Sequence, residues 1–164
     1  MAIFKNILIP VDFSAHSNEA LRLGSGLAAR FSSSITLLHV YELLPYGLPS
    51  DYEMYVPDLR QRVAAQIEQE LVAAKRRAEA AGATSIETKA IEGYPAGDIA
   101  KFAARGGFDL IVMGTHGRRG IQHALLGSVA ERVVRTAPCP VLTVRAPEEQ
   151  AGEASKVWPL AASK

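Results

Sequence analysis

The stretch that decides the fold of this chain reads Gly114-Thr115-His116-Gly117-Arg118-Arg119-Gly120, and Gly127-Ser128 follows it. It comes directly after the apolar run Leu110-Ile111-Val112-Met113, and a helical pattern begins at Ser128. Glycines let a backbone turn with positive φ and bring its N–H groups close to an anion. Because a helix N-terminus adds unpaired N–H groups and a positive dipole end, this layout is typical of a phosphate-binding turn.

The composition of this stretch favours nucleotide binding over a plain strand-to-helix connection. It holds four glycines in a short span, with Arg118 and Arg119 between them. Ser128 can serve both as the helix N-cap and as a hydroxyl donor to a phosphate oxygen. The two arginines are equally compatible with solvated loop charges and with contacts to a terminal phosphate.

Length and composition bound the class of protein. A chain of 164 residues suits one domain with a sizeable core, and a net charge of +1 gives no general attraction to nucleic acid or membrane. The single cysteine, Cys139, excludes an internal disulfide framework and fits a reducing compartment. The N-terminus resembles neither a signal peptide nor a membrane span, so we expect a cytoplasmic protein.

Apolar, β-branched runs alternate with helical patterns along the chain. This alternation implies an α/β fold with one parallel sheet of about five strands and helices on both faces. The first run is mostly apolar and β-branched and is expected to be a central strand, whereas the third alternates in polarity and is expected near an edge. The predicted strands are 3–11, 34–41, 85–92, 110–113 and 141–145, and the predicted helices are 17–31, 59–81, 96–104 and 128–136.

Two features of the first helix need explanation. Ser14 and Ser17 are both candidates for its N-cap. Gly24 and Gly26 each cost about 1 kcal/mol of helix propensity relative to alanine. We expect close packing of the helix against the sheet to compensate.

The predicted topology brings polar residues together. In open α/β sheets, ligands bind beyond the carboxyl ends of the strands, where the strand order reverses. The ends of strands one, two and four are Pro10-Val11-Asp12, Val40 and Met113-Gly114. These residues are therefore expected to face one crevice. Asp12 has an alternative interpretation, because it can also cap the helix that follows it.

Two segments lie outside the regular pattern. Residues 42–58 contain three prolines, a glycine at Gly47 and several tyrosines, and they predict a loop long enough to act as a lid or binding segment. Residues 146–164 are rich in Ala, Glu, Ser and Lys and predict a flexible C-terminal tail, in which 157–160 could dock. We therefore predict one folded domain over residues 1–145.

Several catalytic and metal-binding patterns are absent from the sequence. It has no Gly-Lys-Ser/Thr, and its first strand is not followed by Gly-x-Gly-x-x-Gly. Ser14 and His16 lack a third group that would orient them for covalent catalysis. The histidine spacings fit no zinc pattern, and His116 is expected on the surface or facing a phosphate. Phosphate positioning without a base suggests binding with slow hydrolysis or none.

Three segments together resemble the universal stress protein family. They are the spacing Gly114-x2-Gly117-x9-Gly127-Ser128, the segment Pro10-Val11-Asp12-Phe13-Ser14, and the ending at residues 137–144. The resemblance covers roughly residues 1–145. It implies a Rossmann-like sheet of the adenine nucleotide alpha hydrolase type with strand order 3-2-1-4-5. The intact glycine motif resembles the branch of the family that binds ATP.

The resemblance also implies roles for individual residues. It implies that Asp12 contacts the nucleoside and that the backbones of Val11 and Val40 flank adenine. The full ATP site implied in this way is Pro10, Val11, Asp12, Val40, Met113, Gly114, His116, Gly117, Gly127, Ser128 and Val129. Any Mg²⁺ or Mn²⁺ is expected to be held through the phosphates, with no ligands from protein side chains alone. A homodimer through strand 141–145 is also implied.

These observations lead to one principal hypothesis and two alternatives. The principal hypothesis is a cytoplasmic, homodimeric ATP-binding protein that acts as a nucleotide-dependent switch in a stress response and is read by a protein partner. The first alternative is a slow ATPase or adenylate-handling enzyme. The second is a protein-interaction module that binds no nucleotide, in which the glycine loop is only structural.

Overall fold

A computed structural model describes residues 3–43, 56–117 and 126–147 of the chain. In this part, five parallel strands lie in the order β3-β2-β1-β4-β5, which confirms the predicted α/β class and strand order. The elements are β1 (Asn6–Pro10), α1 (Ala15–Phe31), β2 (Ser34–Tyr41), α2 (Val56–Ala80), β3 (Ser85–Glu92), α3 (Pro95–Gly106), β4 (Leu110–Gly114), α4 (Ser128–Thr136) and β5 (Val141–Val144).

Two hydrophobic cores cover the two faces of the sheet. Side chains of α1 and α2 pack on one face, and side chains of α3 and α4 pack on the other. Strand β1 contributes to both cores, since Ile7 and Ile9 belong to the first and Leu8 to the second. This is the reason why β1 is apolar from Ile7 to Pro10: a central parallel strand is buried on both faces.

Strand β1 is shorter than the predicted strand 3–11. The backbone N–H groups of Lys5 and Asn6 donate to the Asp109 carboxylate, at 2.7 and 3.2 Å, instead of extending the ladder. At the other end, Pro10 is the last residue in register with β2, although the N–H of Val11 still donates to the carbonyl of Leu38. The central position of the strand is confirmed, and only its length was overestimated.

The helix boundaries differ from the predicted ones mainly at N-termini. Helix α1 begins at Ala15, because Ser14 and not Ser17 is its N-cap. Helix α2 begins at Val56, inside the predicted loop 42–58, because a proline in the first helical turn has no intrahelical partner to lose. The remaining part of that loop, 44–55, lies outside the described residues, as does the tail 148–164.

One of the two glycines in α1 is explained by close packing. A Cβ atom on Gly24 would lie 2.6 Å from Cδ1 of Ile9 and 3.4 Å from Cβ of Val112, so α1 packs closely on β1 and β4, and a side chain there would have to displace the end of Ile9. A Cβ atom on Gly26 would meet nothing within 4 Å. The packing explanation is therefore confirmed for Gly24 and wrong for Gly26.

Candidate functional site

The candidate site lies at the carboxyl ends of β1 and β4. These strands are neighbours in the sheet, and the chain leaves β1 towards β2 on one side and β4 towards β5 on the other. The strand order therefore reverses between β1 and β4, which opens a crevice at their carboxyl ends. The predicted convergence of Asp12 with the glycine loop after β4 follows from this topology.

The Asp12 carboxylate is fixed by the turn that joins β1 to α1. Its Oδ1 atom accepts a hydrogen bond from the N–H of Ser14 at 3.0 Å, and the hydroxyl oxygen of Ser17 accepts from the N–H of Asp12 at 3.1 Å. The Ser14 hydroxyl in turn accepts from the N–H of Ser17. Ser14 is thus the N-cap of α1, and the alternative that Asp12 caps this helix is wrong.

Phe13 has an unusual backbone conformation in this turn and contacts β2 through its ring. It has φ of 65°, which is unusual for a residue with a side chain, and its ring lies 4.6 Å from the ring of His39. His39 in turn donates from Nδ1 to the carbonyl of Val11 at 2.6 Å. The ring contact and the hydrogen bond hold the end of β1 against β2, so Asp12 is presented from a rigid turn.

Two glycines bring the loop after β4 into contact with this turn. A Cβ atom on Gly114 would lie 2.8 Å from the carbonyl carbon of His16 and 2.9 Å from the nitrogen of Ser17, in the first turn of α1. A Cβ atom on Gly117 would lie 2.6 Å from Oδ2 of Asp12. Backbone atoms exclude a side chain at Gly114, and a side chain at Gly117 would displace the Asp12 carboxylate, so these motif glycines serve close approach between two distant parts of the chain.

His116 is buried where the two ends of the glycine loop, residues 114–127, come together. It is 8% exposed, so of the two predicted positions the surface one is wrong, and the one that faces a phosphate stays a prediction. Its Nδ1 atom lies 3.1 Å from the Thr115 hydroxyl, while its Nε2 atom is buried without a hydrogen-bond partner among the residues that the structure describes. Where the Thr115 hydroxyl donates to Nδ1, the ring proton is on Nε2, which is then a buried donor without an acceptor among the described residues. Such a group is costly unless a ligand supplies one.

Helix α4 begins directly beside His116. Gly127 is the N-cap, with no side-chain capping bond, and its N–H donates to the carbonyl of Thr115 at 2.8 Å. Ser128 is the first helical residue, so the prediction that it is the N-cap is wrong. A Cβ atom on Gly127 would lie 3.7 Å from Cδ2 of His116, the carbon bonded to Nε2. The first N–H groups of α4 and the Nε2 edge of His116 are therefore adjacent potential donors to an anion.

The end of β2 contributes backbone groups to the same crevice. The carbonyl of Tyr41 accepts from the N–H of Gly93 on the β3 side, and the carbonyl of Leu38 accepts from Val11 on the β1 side. Because backbone groups alternate along a strand, the N–H and C=O of Val40 turn to the β1 side, beyond the end of β1 at Pro10. One donor and one acceptor of the backbone are therefore on the side of the turn that carries Asp12.

Burial limits what other predicted residues can offer. Val11 and Met113 are each 5% exposed, and their side chains belong to the two cores, so only their backbone groups can face the crevice. Val129 also packs against the second core. Arg118 and Arg119 lie outside the described residues, and their assignment as phosphate contacts stays a prediction. Within residues 3–43, 56–117 and 126–147, no group of three or more His, Cys, Asp or Glu side chains could hold a metal ion.

The structure adds His16, which the sequence suggested only as a base for Ser14. Its ring centroid lies 5.4 Å from that of His116, and its Nδ1 atom accepts the N–H of Ala146 at 2.8 Å. Burial lowers the pKa of His16, and the neighbouring His116 and Arg145 lower it further, whereas Asp12 acts in the opposite direction. Ala146 itself is 4% exposed, so the predicted tail 146–164 begins with an anchored residue. In the sequence, only the position of His16 shortly after Asp12 could have signalled that it lies at this site.

Comparisons with known proteins agree with the fold and with the family resemblance. The sequence model of the Universal stress protein family matches residues 3–145. A universal stress protein of Methanocaldococcus jannaschii is 38% identical over 151 residues, which are 90% of this chain and 86% of that protein. The structure is similar to that of UspA from Lactobacillus plantarum, with a TM-score of 0.79 at 27% identity over 87% of this chain and 98% of the other. It is also similar to a universal stress protein crystallised in complex with cAMP, with a TM-score of 0.67 at 27% identity over 87% and 97% of the two chains.

Proposed function

The chain belongs to the universal stress protein family, and we propose that it binds ATP at the carboxyl ends of β1 and β4 and acts as a nucleotide-dependent switch in a stress response. One observation carries this proposal: the buried Nε2 atom of His116 lies without a partner, among the described residues, beside the N-terminus of α4. In the proposed complex Nε2 carries the ring proton and a phosphate oxygen accepts from it, and the helix terminus favours the negative charge of the phosphate.

The rest of the crevice suits a nucleoside. In the proposed complex, Asp12 accepts hydrogen bonds from the ribose hydroxyls, as a carboxylate at the end of a strand does in dinucleotide-binding folds. The N–H and C=O of Val40 pair with the adenine edge, and the backbones of Pro10 and Val11 lie beneath it. Met113, Gly114, Gly117, Ser128 and Val129 complete the ribose and phosphate contacts. The relative crystallised with cAMP supports an adenine nucleotide as the ligand class.

The metal and the location are parts of the same proposal. A Mg²⁺ or Mn²⁺ ion arrives with ATP and is held through phosphates and water, in line with the preference of Mg²⁺ for phosphate oxygens.

No helix in the described part of the chain combines the length and apolar character needed to cross a bilayer. We place the protein in the cytoplasm because a single cysteine, Cys139, fits a reducing compartment.

We also propose a homodimer that forms through β5 and residue 145. Strand β5 lies at the edge of the sheet, and Leu142 is 36% exposed there. An apolar edge strand tends to be paired or covered, and a two-fold axis satisfies this with one patch. In sedimentation experiments, Leu142→Glu should shift the protein towards monomer, whereas Val72→Glu, at a 45% exposed position on α2, should not. Equal behaviour of the two variants argues against this interface.

The nucleotide proposal is tested by mass spectrometry of the small molecules released from purified, denatured protein, followed by calorimetric titration with ATP and Mg²⁺. Gly127→Val should abolish binding, because its side chain would contact the Thr115 carbonyl and His116. Gly26→Ala is the matched control, since a Cβ atom there meets nothing. The absence of both co-purified nucleotide and binding heat in the unmodified protein would refute the proposal. Phosphate release in the same samples distinguishes a switch from a slow ATPase.

A further inference from the structure

Three groups form a connection that the proposed ATP site does not by itself require. They are His116 in the glycine loop, His16 in the first turn of α1, and the N–H of Ala146 after β5. We call these three groups the histidine bridge. His16 and Ala146 are 130 residues apart in sequence, and the bond between them is 2.8 Å long. The bridge therefore joins the loop after β4 to the point where the chain leaves the sheet.

The protonation state of His16 follows from its bond to Ala146. A backbone N–H can donate only to a ring nitrogen that carries no proton, so Nδ1 of His16 is the acceptor and any proton of the neutral ring is on Nε2. Protonation at Nδ1 would place two donors against each other and break the bond. The bridge thus exists only while His16 is neutral.

The surroundings of His16 favour the neutral form. The charged and titratable groups that face it are His116 from the loop after β4, Arg145 from the end of β5, and Asp12 from the end of β1. Burial and the first two groups lower the pKa of His16, and only Asp12 opposes them. The ring of His16 contacts the ring of His116, with a centroid distance of 5.4 Å, so His16 lies against the first part of the glycine loop.

We propose that His16 is a positioning residue for the phosphate-binding loop, that it acts through the ring of His116, and that it couples nucleotide binding to the backbone at Ala146. This inference rests on the proposed function. Neutral His16 holds Ala146 and supports His116 with Nε2 directed to the ligand. A bound phosphate that fixes His116 therefore also stabilises the bond to Ala146, because coupling between two sites is reciprocal.

The coupling has a definite dependence on pH. As the pH falls, protonated His16 releases Ala146 and the support for His116 is lost, so affinity for ATP decreases. The terminal phosphate of ATP also titrates, but its effect is common to all variants. His16→Gln provides the comparison, since a glutamine side-chain oxygen can accept the N–H of Ala146 and does not titrate in this range. We expect ATP affinity in the unmodified protein to fall about fivefold more than in His16→Gln between pH 7.5 and pH 5.5.

The experiment combines calorimetry with amide hydrogen exchange in the full chain. At pH 7.5, saturating ATP should raise the protection of the Ala146 amide, and His16→Ala should lower that protection about tenfold, as expected for one lost hydrogen bond. His16→Gln should restore most of it. The amide of Ile111, which donates to the carbonyl of Pro140 at the other end of β5, is the internal reference. Gly26→Ala is the control variant, and circular dichroism establishes that each variant is folded.

The outcomes separate this inference from the proposed function. If calorimetry shows ATP binding but Ala146 protection does not respond to ATP, the coupling is refuted and the ATP site stands. The coupling is also refuted if His16→Gln and the unmodified protein show the same pH dependence of affinity. If the unmodified protein binds no ATP, the proposed function fails and the role of His16 in positioning a nucleotide loop fails with it.

Discussion

The two ends of the sheet differ in whether their polar groups have hydrogen-bond partners within the described part of the chain. At the amino end, the Asp109 carboxylate accepts the N–H groups of Lys5 and Asn6, and the N–H of Asp109 donates to the carbonyl of Asn6. The Ser33 hydroxyl donates to the carbonyl of Phe4 at 2.7 Å. Each of these donors finds its acceptor within the chain, so this end is closed by its own side chains.

The carboxyl end leaves donors available instead. Gly114 and Gly117 take the places that side chains would fill, α4 begins without a side-chain cap, and Nε2 of His116 has no partner among the described residues. Buried polar groups normally find partners, and an end of a fold that departs from this rule is a candidate for a ligand. In the proposed function, the amino end contributes stability, whereas the carboxyl end gives up stability for binding.

The largest expected effect is that of Gly114→Ala. Its new Cβ atom would press on backbone atoms of His16 and Ser17, which cannot rotate away. We expect a loss of about 3 kcal/mol in the free energy of unfolding, at the upper end of the usual cost of overpacking, together with loss of ATP binding. Urea denaturation measures the first and calorimetry the second. Gly24→Ala is the control, because its nearest neighbour is the movable Cδ1 atom of Ile9, and an equal loss in both variants would contradict this explanation.

Gly117→Ala should separate binding from stability. Its Cβ atom would meet only Oδ2 of Asp12, a side-chain atom that can move. We expect ATP affinity to fall about tenfold, or roughly 1.4 kcal/mol, with the free energy of unfolding nearly unchanged. In a double-mutant cycle, the same substitution should cost little affinity when Asp12 is already alanine. Additive effects of the two substitutions would show that Gly117 does not act through Asp12.

Asp109→Ala tests the closed end of the sheet. It removes the acceptor of two backbone N–H groups, and we expect the free energy of unfolding to fall by about 1 kcal/mol with ATP affinity unchanged. Chemical denaturation and calorimetry on the same preparation measure the two quantities. Asp109→Asn, which keeps one side-chain oxygen, should lose less. A change in ATP affinity would mean that the two ends of the sheet are not independent.

The smallest expected effect is the pH dependence that His16 gives to stability. Its pKa is lowered in the folded chain from 6.5, so the unfolded chain binds a proton at a higher pH than the folded chain does. Stability should therefore decrease as the pH falls below about 6.5, until the folded form is protonated too. Thermal unfolding of the unmodified protein and His16→Gln across this range isolates the contribution. A contribution that increases towards acid would reverse the sign argued here.

Much of the fold follows from local patterns in the sequence. The ranges of β2, β3 and α4 agree with prediction, because period-two alternation, apolar runs and a glycine before a helix are local signals. The start of α2 was misplaced although a proline in the first helical turn is itself a local signal. The start of β1 was misplaced because it depends on the carboxylate of Asp109, which is distant in sequence. Boundaries set by distant partners cannot be read from neighbouring residues.

Some features of the candidate site were likewise predictable from the sequence, and others were not. The meeting of Asp12 with Gly117 was expected from topology, since both follow strands that end at one edge of the sheet. The burial of His116 and the role of His16 were not expected, because a histidine gives no periodic signal and the bond to Ala146 spans most of the chain. The assignment of the N-cap of α4 to Gly127 depends on backbone angles, which residue type alone does not determine.

The pairing of β1 with β4 has a consequence for the protein during its synthesis. Strand β1 can pair with β2 early, but its other neighbour is made only after β2, β3 and three helices. Domains tend to form as units while the N-terminal part leaves the ribosome first, and non-local strand pairs form late. A nascent chain therefore carries an exposed edge of β1 until β4 emerges. The proposed nucleotide site is assembled only after α4 has been made, so a nucleotide bound there cannot guide the earliest steps of folding.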